Sequence, residues 1–353
     1  MSAKRFPRAA PVADARATGP TGAGAKMRFR GARVSRMLFA VLAGGVAFSA
    51  FGQPSRDFSA VEIEVLPVQG NVYMLVGVGG NITVQVGDDG VVVVDSMFAE
   101  LSGKVLAAIR QLSDQPIRYV VNTHVHGDHT GGNANLARAG STITGGNVTR
   151  AIADSGEGAR IIAHENVLLR MTQQEPAVPF DAWPTDTFFT EQKDLFVNGE
   201  AVQVLHQPAA HTDGDSLVFF RRSDVISTGD VFVTTLYPFI DRARGGSING
   251  VIDALNRIIQ LAVPAAQQEG GTLVIPGHGR ICDEADVVEY RDMLTIIRDR
   301  VRHMIESGMS LEQVQLASPT MDYDARYGAD SGFWTTEQFV EAVYLGLSES
   351  NEQ

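Results

Sequence analysis

The hydrophobic and polar positions of this 353-residue chain change rhythm several times. From residue 71 short β-rich runs alternate with turn residues: "NVYMLVG" (71–77), "NITVQVG" (81–87) and "VVVVDS" (91–96), punctuated by Gly-Gly and "DDG". This pattern predicts antiparallel strands joined by tight turns. "SGKVLAAIRQLS" then spaces its apolar residues as a helix does, and "IRYVVNTH" is a continuous apolar strand that runs into a histidine cluster.

The second half repeats the rhythm, with strands near "AVQVLHQP", "SLVFFRR", "DVISTGDVF" and "GTLVIPGHG" and a helix over 248–262. Beyond them Val287, Tyr290, Leu294, Ile297, Val301 and Met304 recur at spacings of three and four, the stripe of a long amphipathic helix that faces a core. Two β-rich layers, each covered by helices, make an α/β fold: a four-layer αββα sandwich over residues 60–282. Residues 283–353 are expected to form a C-terminal helical extension packed on that domain.

The first 52 residues follow no such pattern. Residues 1–26 are rich in Ala, Gly, Pro and Arg without periodicity and read as disordered, or as an upstream extension if translation starts at Met27 rather than Met1. From Met27, "MRFRGARVSR" is a basic stretch, 37–51 is a 15-residue apolar run, and small residues precede Gln53. That order is a secretory signal peptide over 27–52, because the run is shorter than the roughly 20 residues a spanning helix needs. The expected location is secreted or periplasmic, with no membrane association after cleavage.

Charge narrows the partners. The whole chain carries −12, and residues 1–52 hold nine Lys/Arg against one Asp, so the processed chain would carry about −20. Such a surface repels polyanions, and nucleic acid is excluded as an expected partner in favour of a small-molecule substrate. The one cysteine, Cys282, cannot close an internal disulfide and is expected to be a small buried hydrophobe.

The candidate chemistry lies at the strand ends. "NTHVHGDHTGG" (122–132) holds His124, His126, Asp128 and His129, three of only eight histidines in the chain. "AAHTDGD" adds His211, "STGD" adds Asp230 and "PGHG" adds His278, each just past an apolar run. Five imidazoles and two carboxylates are too many ligands for one tetrahedral ion and suit two, with nitrogen and oxygen donors that favour zinc over magnesium or calcium.

These motifs, in this order and preceded by "VVVVDS", resemble the signature of the metallo-β-lactamase superfamily over about residues 66–280. The resemblance implies one Zn2+ held by His124, His126 and His211, a second held by Asp128, His129 and His278, and Asp230 bridging them. It makes Asp95 a structural residue beside the ligands. A water shared by two such ions ionises near neutral pH, and Asp128 would orient it, so the implied activity is attack on an amide, lactam, ester, lactone or thioester carbonyl. β-Lactams are included in that range. The best-known β-lactamases of the fold, however, bridge with cysteine and carry a lysine three residues later, where this chain has Asp230 and Val233. The alternatives are a thioesterase like hydroxyacylglutathione hydrolase and a mononuclear iron protein like the persulfide dioxygenases.

Substrate contacts are expected from "TTLYPFIDRARGG" (234–246), where the Tyr237 hydroxyl would serve an oxyanion and Arg242 or Arg244 a substrate carboxylate. "DAWPTDTFF" (181–189) offers Trp183, Phe188 and Phe189 either as an apolar wall or as packing beneath the sheet. The N-terminal reading is directly testable: terminal sequencing of native protein should begin near Gln53, and an intact 27–52 segment would refute export with cleavage.

Overall fold

Four consecutive valines, 91–94, are fully buried, and alternate ones serve different cores. Val91 and Val93 pack with Leu75, Val105 and Ile109, whereas Val92 and Val94 pack with Val204, Val218 and Phe220. A strand covered on both faces has no polar side, so its apolar run is unbroken.

The computed structural model describes residues 57–142 and 158–350; the segments 1–26 and 27–52 lie outside them. One sheet has seven strands in chain order: β1 (Glu64–Gln69), β2 (Val72–Val76), β3 (Ile82–Gly87), β4 (Gly90–Val94), β5 (Ile117–Val121), β6 (Arg160–His164) and β7 (Asp186–Phe188). β1 to β4 pair antiparallel and β4 to β7 parallel. The second sheet comprises β8 (Gln192–Val197), β9 (Glu200–Gln207), β10 (Asp215–Phe220), β11 (Val225–Ser227) and β12 (Leu273–Ile275), ordered 12-11-10-9-8. Only its β11–β12 pair is parallel, so β9, β11 and β12 run in one direction.

Helices α1 (Ser102–Leu112), α2 (Gly127–Thr130), α3 (Asn133–Ala139) and α4 (Glu165–Thr172) belong to the first half. Val105, Ile109 and Leu136 put α1 and α3 on the outer face of the first sheet. In the second half come α5 (Ile248–Leu261), α6 (Glu284–Glu306), α7 (Leu311–Leu316) and α8 (Thr336–Ser350). Along β10, Val218 and Phe220 face the first sheet while Leu217 and Phe219 face a core formed with α5, α6 and α8. The layers are therefore helix, sheet, sheet, helix, followed by a C-terminal helical region. β1, β6 and β8 carry no strong apolar signal in sequence: β1 contains Pro67 and β8 begins "QKD", as edge strands tolerate.

The predicted stripe of α6 is the buried one: Val287, Tyr290, Leu294, Ile297 and Val301 are all in the core, with Met304 packed against it. A capping box in which Asp283 and Asp286 satisfy each other's backbone N–H starts the helix. The same core contains Leu205, Phe232, Leu255, Phe339 and Val343, so the extension and the second sheet share one hydrophobic cluster. Cys282 lies in it as a buried thiol. Among the described residues no helix is long and apolar enough to cross a membrane. Leu294→Ala should therefore lower stability by about 2–5 kcal/mol. The whole described unit should unfold in one earlier transition; a separate early melting of the extension, seen by calorimetry, would show the cluster to be two.

Candidate metal centre

All the histidine and aspartate candidates emerge where strands end. β4 delivers Asp95, β5 delivers Thr123 to His129, and β9, β11 and β12 deliver His211, Asp230 and His278 past their carboxyl ends. Backbone bonds tie these loops together: Ser96 N–H to His129 O, Ser216 N–H to Thr123 O, and Gly277 N–H to Gly229 O. Two glycines permit the close approach. A Cβ on Gly80 would lie 2.2 Å from His129 Cε1, and one on Gly277 would lie 2.0 Å from Asp230 Oδ1.

The geometry brings the seven residues into two groups. His124, His126, His211 and Asp230 place one ligand atom each within 4.8 Å of one another, and so do Asp128, His129 and His278. Asp230 faces both: Oδ2 lies 3.9 Å from His124 Nε2 and 3.8 Å from His211 Nε2, while Oδ1 lies 3.2 Å from His129 Nε2 and 3.4 Å from His278 Nε2.

The proton-bearing nitrogens point outward. His129 Nδ1 is 2.8 Å from Asp95 Oδ2 and His126 Nε2 is 2.9 Å from Asp241 Oδ2, so each imidazole donates to a carboxylate. His211 Nδ1 donates to the carbonyl of Phe239. The Thr123 hydroxyl donates to Asp95 Oδ2 (2.7 Å) and so accepts from His124 Nδ1 at 3.0 Å. Asp95 also accepts the Thr123 N–H at 2.8 Å, from a backbone at φ 65° that aspartate tolerates better than most residues.

With those protons committed, His124, His126 and His211 aim lone pairs inward. His126 Nδ1 and His211 Nε2 face each other at 2.9 Å, and the buried His124 Nε2 has no hydrogen-bond partner. Burying polar atoms without partners is unfavourable unless something fills the gap. An all-nitrogen and oxygen donor set converging in this way fits divalent metal ions.

Burial, with the charges of His129 and His211, holds His124 well below the usual imidazole range, and burial takes His211 down to about 4. Burial also opposes charge on His278 and His129, but Asp230 together with Asp128 carries His278 up to about 9, and Asp230 together with Asp95 carries His129 well above its ordinary value. Asp128 is brought down to about 2 against its burial by His278 and His129. The centre opens to solvent on one side, where the side chains of His126, Asp128 and His278 are 17, 27 and 30 % exposed.

The expected substrate residues are placed differently. Tyr237 is buried, stacked on Phe339, with its hydroxyl on Asp324 Oδ1 (2.9 Å) beside the Thr320 carbonyl, so it is packing for the extension and presents nothing to an oxyanion. Arg242 pairs with Glu349 at 2.6 Å. Arg244 donates to Asp241 Oδ2 at 2.7 Å, and through it steadies His126. Both arginines thus have partners within the chain. Phe188 packs between the sheets, Trp183 packs on Val125, Val167 and Met171, and Phe189 is exposed, so the segment 181–189 forms no single wall. Val233 is buried and pairs with the backbone of His278. Sequence reasoning gave no role to Thr123, Asp241 or Phe239; apart from His124 beside Thr123 and Arg244 three residues after Asp241, their partners at the centre lie far along the chain and carry no local pattern.

The metallo-beta-lactamase superfamily model matches residues 75–278, more than half of the chain, and the chain belongs to that superfamily. Its two-sheet fold is the one this superfamily shares. It is similar to the linear primary-alkylsulfatase of Pseudomonas sp. (strain ATCC 19151), 24% identical over 293 residues, 73% of this chain and 54% of that protein. The chain thus spans about half the length of the curated relative it matches. Among solved structures, the stereoselective inverting sec-alkylsulfatase Pisa1 from Pseudomonas sp. shares the fold with a TM-score of 0.60 at 17% identity, over 82% of this chain and 51% of that one. A metallo-beta-lactamase from Pontibacter korlensis does so with a TM-score of 0.51 at 17% identity, over 66% of this chain and 99% of that one.

The two groups should respond differently to pH. His278 titrates above the ordinary 6.5, so its charge stabilises the metal-free fold below pH 6.5 and that contribution is lost as pH rises through about 9. A metal entering the second group must displace this proton, so its apparent affinity should rise about tenfold per pH unit for each proton displaced, between pH 7 and 9. His124 and His211 are already neutral at pH 7 and add no such dependence. Metal titrations at several pH values, with proton release measured in buffers of different ionisation enthalpy, check this; pH-independent uptake by both groups would contradict it.

Proposed function

We propose that the protein is an exported dinuclear zinc hydrolase that cleaves an ester-type bond of a small molecule. The observation that carries this reading is Asp230, whose two oxygens face the two ligand groups separately. One zinc would be held by His124, His126 and His211, the other by Asp128, His129 and His278, with Asp230 shared. Ions bound there would polarise the scissile bond and lower the pKa of a coordinated water.

The chain's own residues supply the rest. Asp241, Phe239 O, Thr123 and Asp95 fix the ring orientation and tautomer of the four innermost imidazoles, so no reorganisation is needed as charge develops. Asp128, on the open side and held as a carboxylate, is placed to accept a proton from an attacking water. The buried His124, His129 and His211 close the opposite side and keep bulk water from it.

A sulfate ester is the second reading for the bond cleaved. It is favoured by the alkylsulfatase similarity, which takes in 82% of this chain against 66% for the β-lactamase, more than residues 75–278 alone. β-Lactam turnover is less well supported, because the position three after Asp230 is a buried valine. A panel of carboxylic, thio- and sulfate esters, lactones and β-lactams on the zinc-loaded protein decides among them, alongside metal analysis. Two zinc per chain with ester turnover is expected; one iron and no hydrolysis would favour a mononuclear redox protein instead. Asp230→Ala should reduce metal affinity by more than the about 10–100-fold lost with an outer partner, and hydrolysis with it. Full occupancy at an unchanged rate would remove the bridging role.

A further inference from the structure

Phe239 has a double position. Its carbonyl accepts from His211 Nδ1, and its half-buried ring lies 5.6 Å from the ring centres of both His126 and His211. On its far side the ring meets two aromatics of the C-terminal extension edge-on, Phe333 at 5.0 Å and Trp334 at 4.8 Å. Trp334 is pinned by its Nε1–H to the Pro238 carbonyl at 3.1 Å, which seats this strap of the extension on the 237–239 segment. Phe333 itself is 77% exposed.

A single exposed phenylalanine needs no explanation. Phe333 differs because it ends a row of aromatic contacts that starts on the imidazoles of His126 and His211. Across the centre, the turn after β2 lays Gly79 and Gly80 against Asp128 and His129 and leaves Val78 exposed. The open face of a strongly polar centre is thus bordered by apolar side chains, the arrangement of a site that reads an apolar group beside a polar reacting bond.

We propose that Phe239 and Phe333 form an apolar subsite, completed by the C-terminal extension, that binds the hydrophobic half of an amphiphilic ester: a medium-length alkyl chain or a ring joined to the bond that is hydrolysed. This rests on the hydrolase reading above and specifies its substrate class. Phe333 is the specificity-determining residue, since Phe239 also supports a ligand. The chain extends away from the metals along the two rings, with the ester or sulfate head at the ligand groups.

The test separates binding from turnover. Butane-, hexane-, octane- and decanesulfonate, which are not hydrolysed, are titrated calorimetrically into zinc-loaded protein. Affinity should rise about two- to fourfold per methylene, the upper figure being full burial. Phe333→Ala should flatten that slope, while Leu316→Ala, an equally exposed apolar residue of the extension, should keep it. In parallel, kcat/KM for acetyl, butyryl, hexanoyl and octanoyl esters should climb with chain length in the parent and climb less in Phe333→Ala. No chain-length dependence, or a slope that Phe333→Ala leaves intact or Leu316→Ala lowers equally, overturns the subsite. If neither these esters nor the matching alkyl sulfates are hydrolysed yet the sulfonate slope depends on Phe333, the subsite stands and the hydrolase reading falls.

Discussion

Lone pairs that converge without protons between them are the constraint on which the rest of this structure depends. His126 Nδ1 and His211 Nε2 stand 2.9 Å apart, and His124 Nε2 is buried without a partner. Each ring is held there by an acceptor behind it: Asp241, Phe239 O, Thr123 or Asp95. Left alone, such an arrangement is electrostatically unfavourable, since lone pairs face one another and His124 Nε2 has lost water without gaining a hydrogen bond. A fold that maintains it must draw stability from elsewhere, and metal held by these groups would turn the cost into binding energy.

The two-sheet architecture makes that possible. The inter-sheet core of Val92, Val94, Val204, Val218 and Phe220 fixes the sheets face to face, so the loops at one end of both meet across a short gap. β5 contributes the dense cluster at 124–129, and β9, β11 and β12 contribute one ligand each. Cross-loop bonds such as Gly277 N–H to Gly229 O hold ligands of different loops to one geometry. Asp95 has the widest reach: its carboxylate holds His129 directly and His124 through Thr123, one residue in each ligand group. A substitution there disturbs both groups without removing a ligand.

Much of this was legible in the sequence, and the reason is local. All seven inward-facing residues follow apolar runs, so pattern and spacing located them, and "VVVV" announced a strand with two buried faces. The αββα layering followed from the order of strands and helices, and the stripe from Val287 to Val301 predicted a buried helix face. What failed was the reading of the loop 234–246. Tyr237, Arg242 and Arg244 have the chemistry of substrate contacts, but burial and the partners Asp324, Glu349 and Asp241 commit them within the chain. Those partners lie three to 107 residues away, and nothing in a linear pattern tells a committed arginine from a free one. β1 and β8 were silent because an edge strand carries neither a continuous apolar run nor a clean alternation.

The same loop shows how the extension becomes part of the active end of the molecule. Tyr237 anchors inward to Thr320 and Asp324, Pro238 accepts from Trp334, and Phe239 carries a ligand on its carbonyl and Phe333 on its ring. Three consecutive residues therefore join the metal groups to the C-terminal helices. Because α6 and α8 share a core with the second sheet, movement of the strap is resisted by the packing of that cluster. The helices beyond residues 75–278 are thereby coupled mechanically to His211 through the 237–239 segment. An extension of this kind can change which substrates reach the site while the metal ligands stay the same, the division between scaffold and specificity that this fold permits.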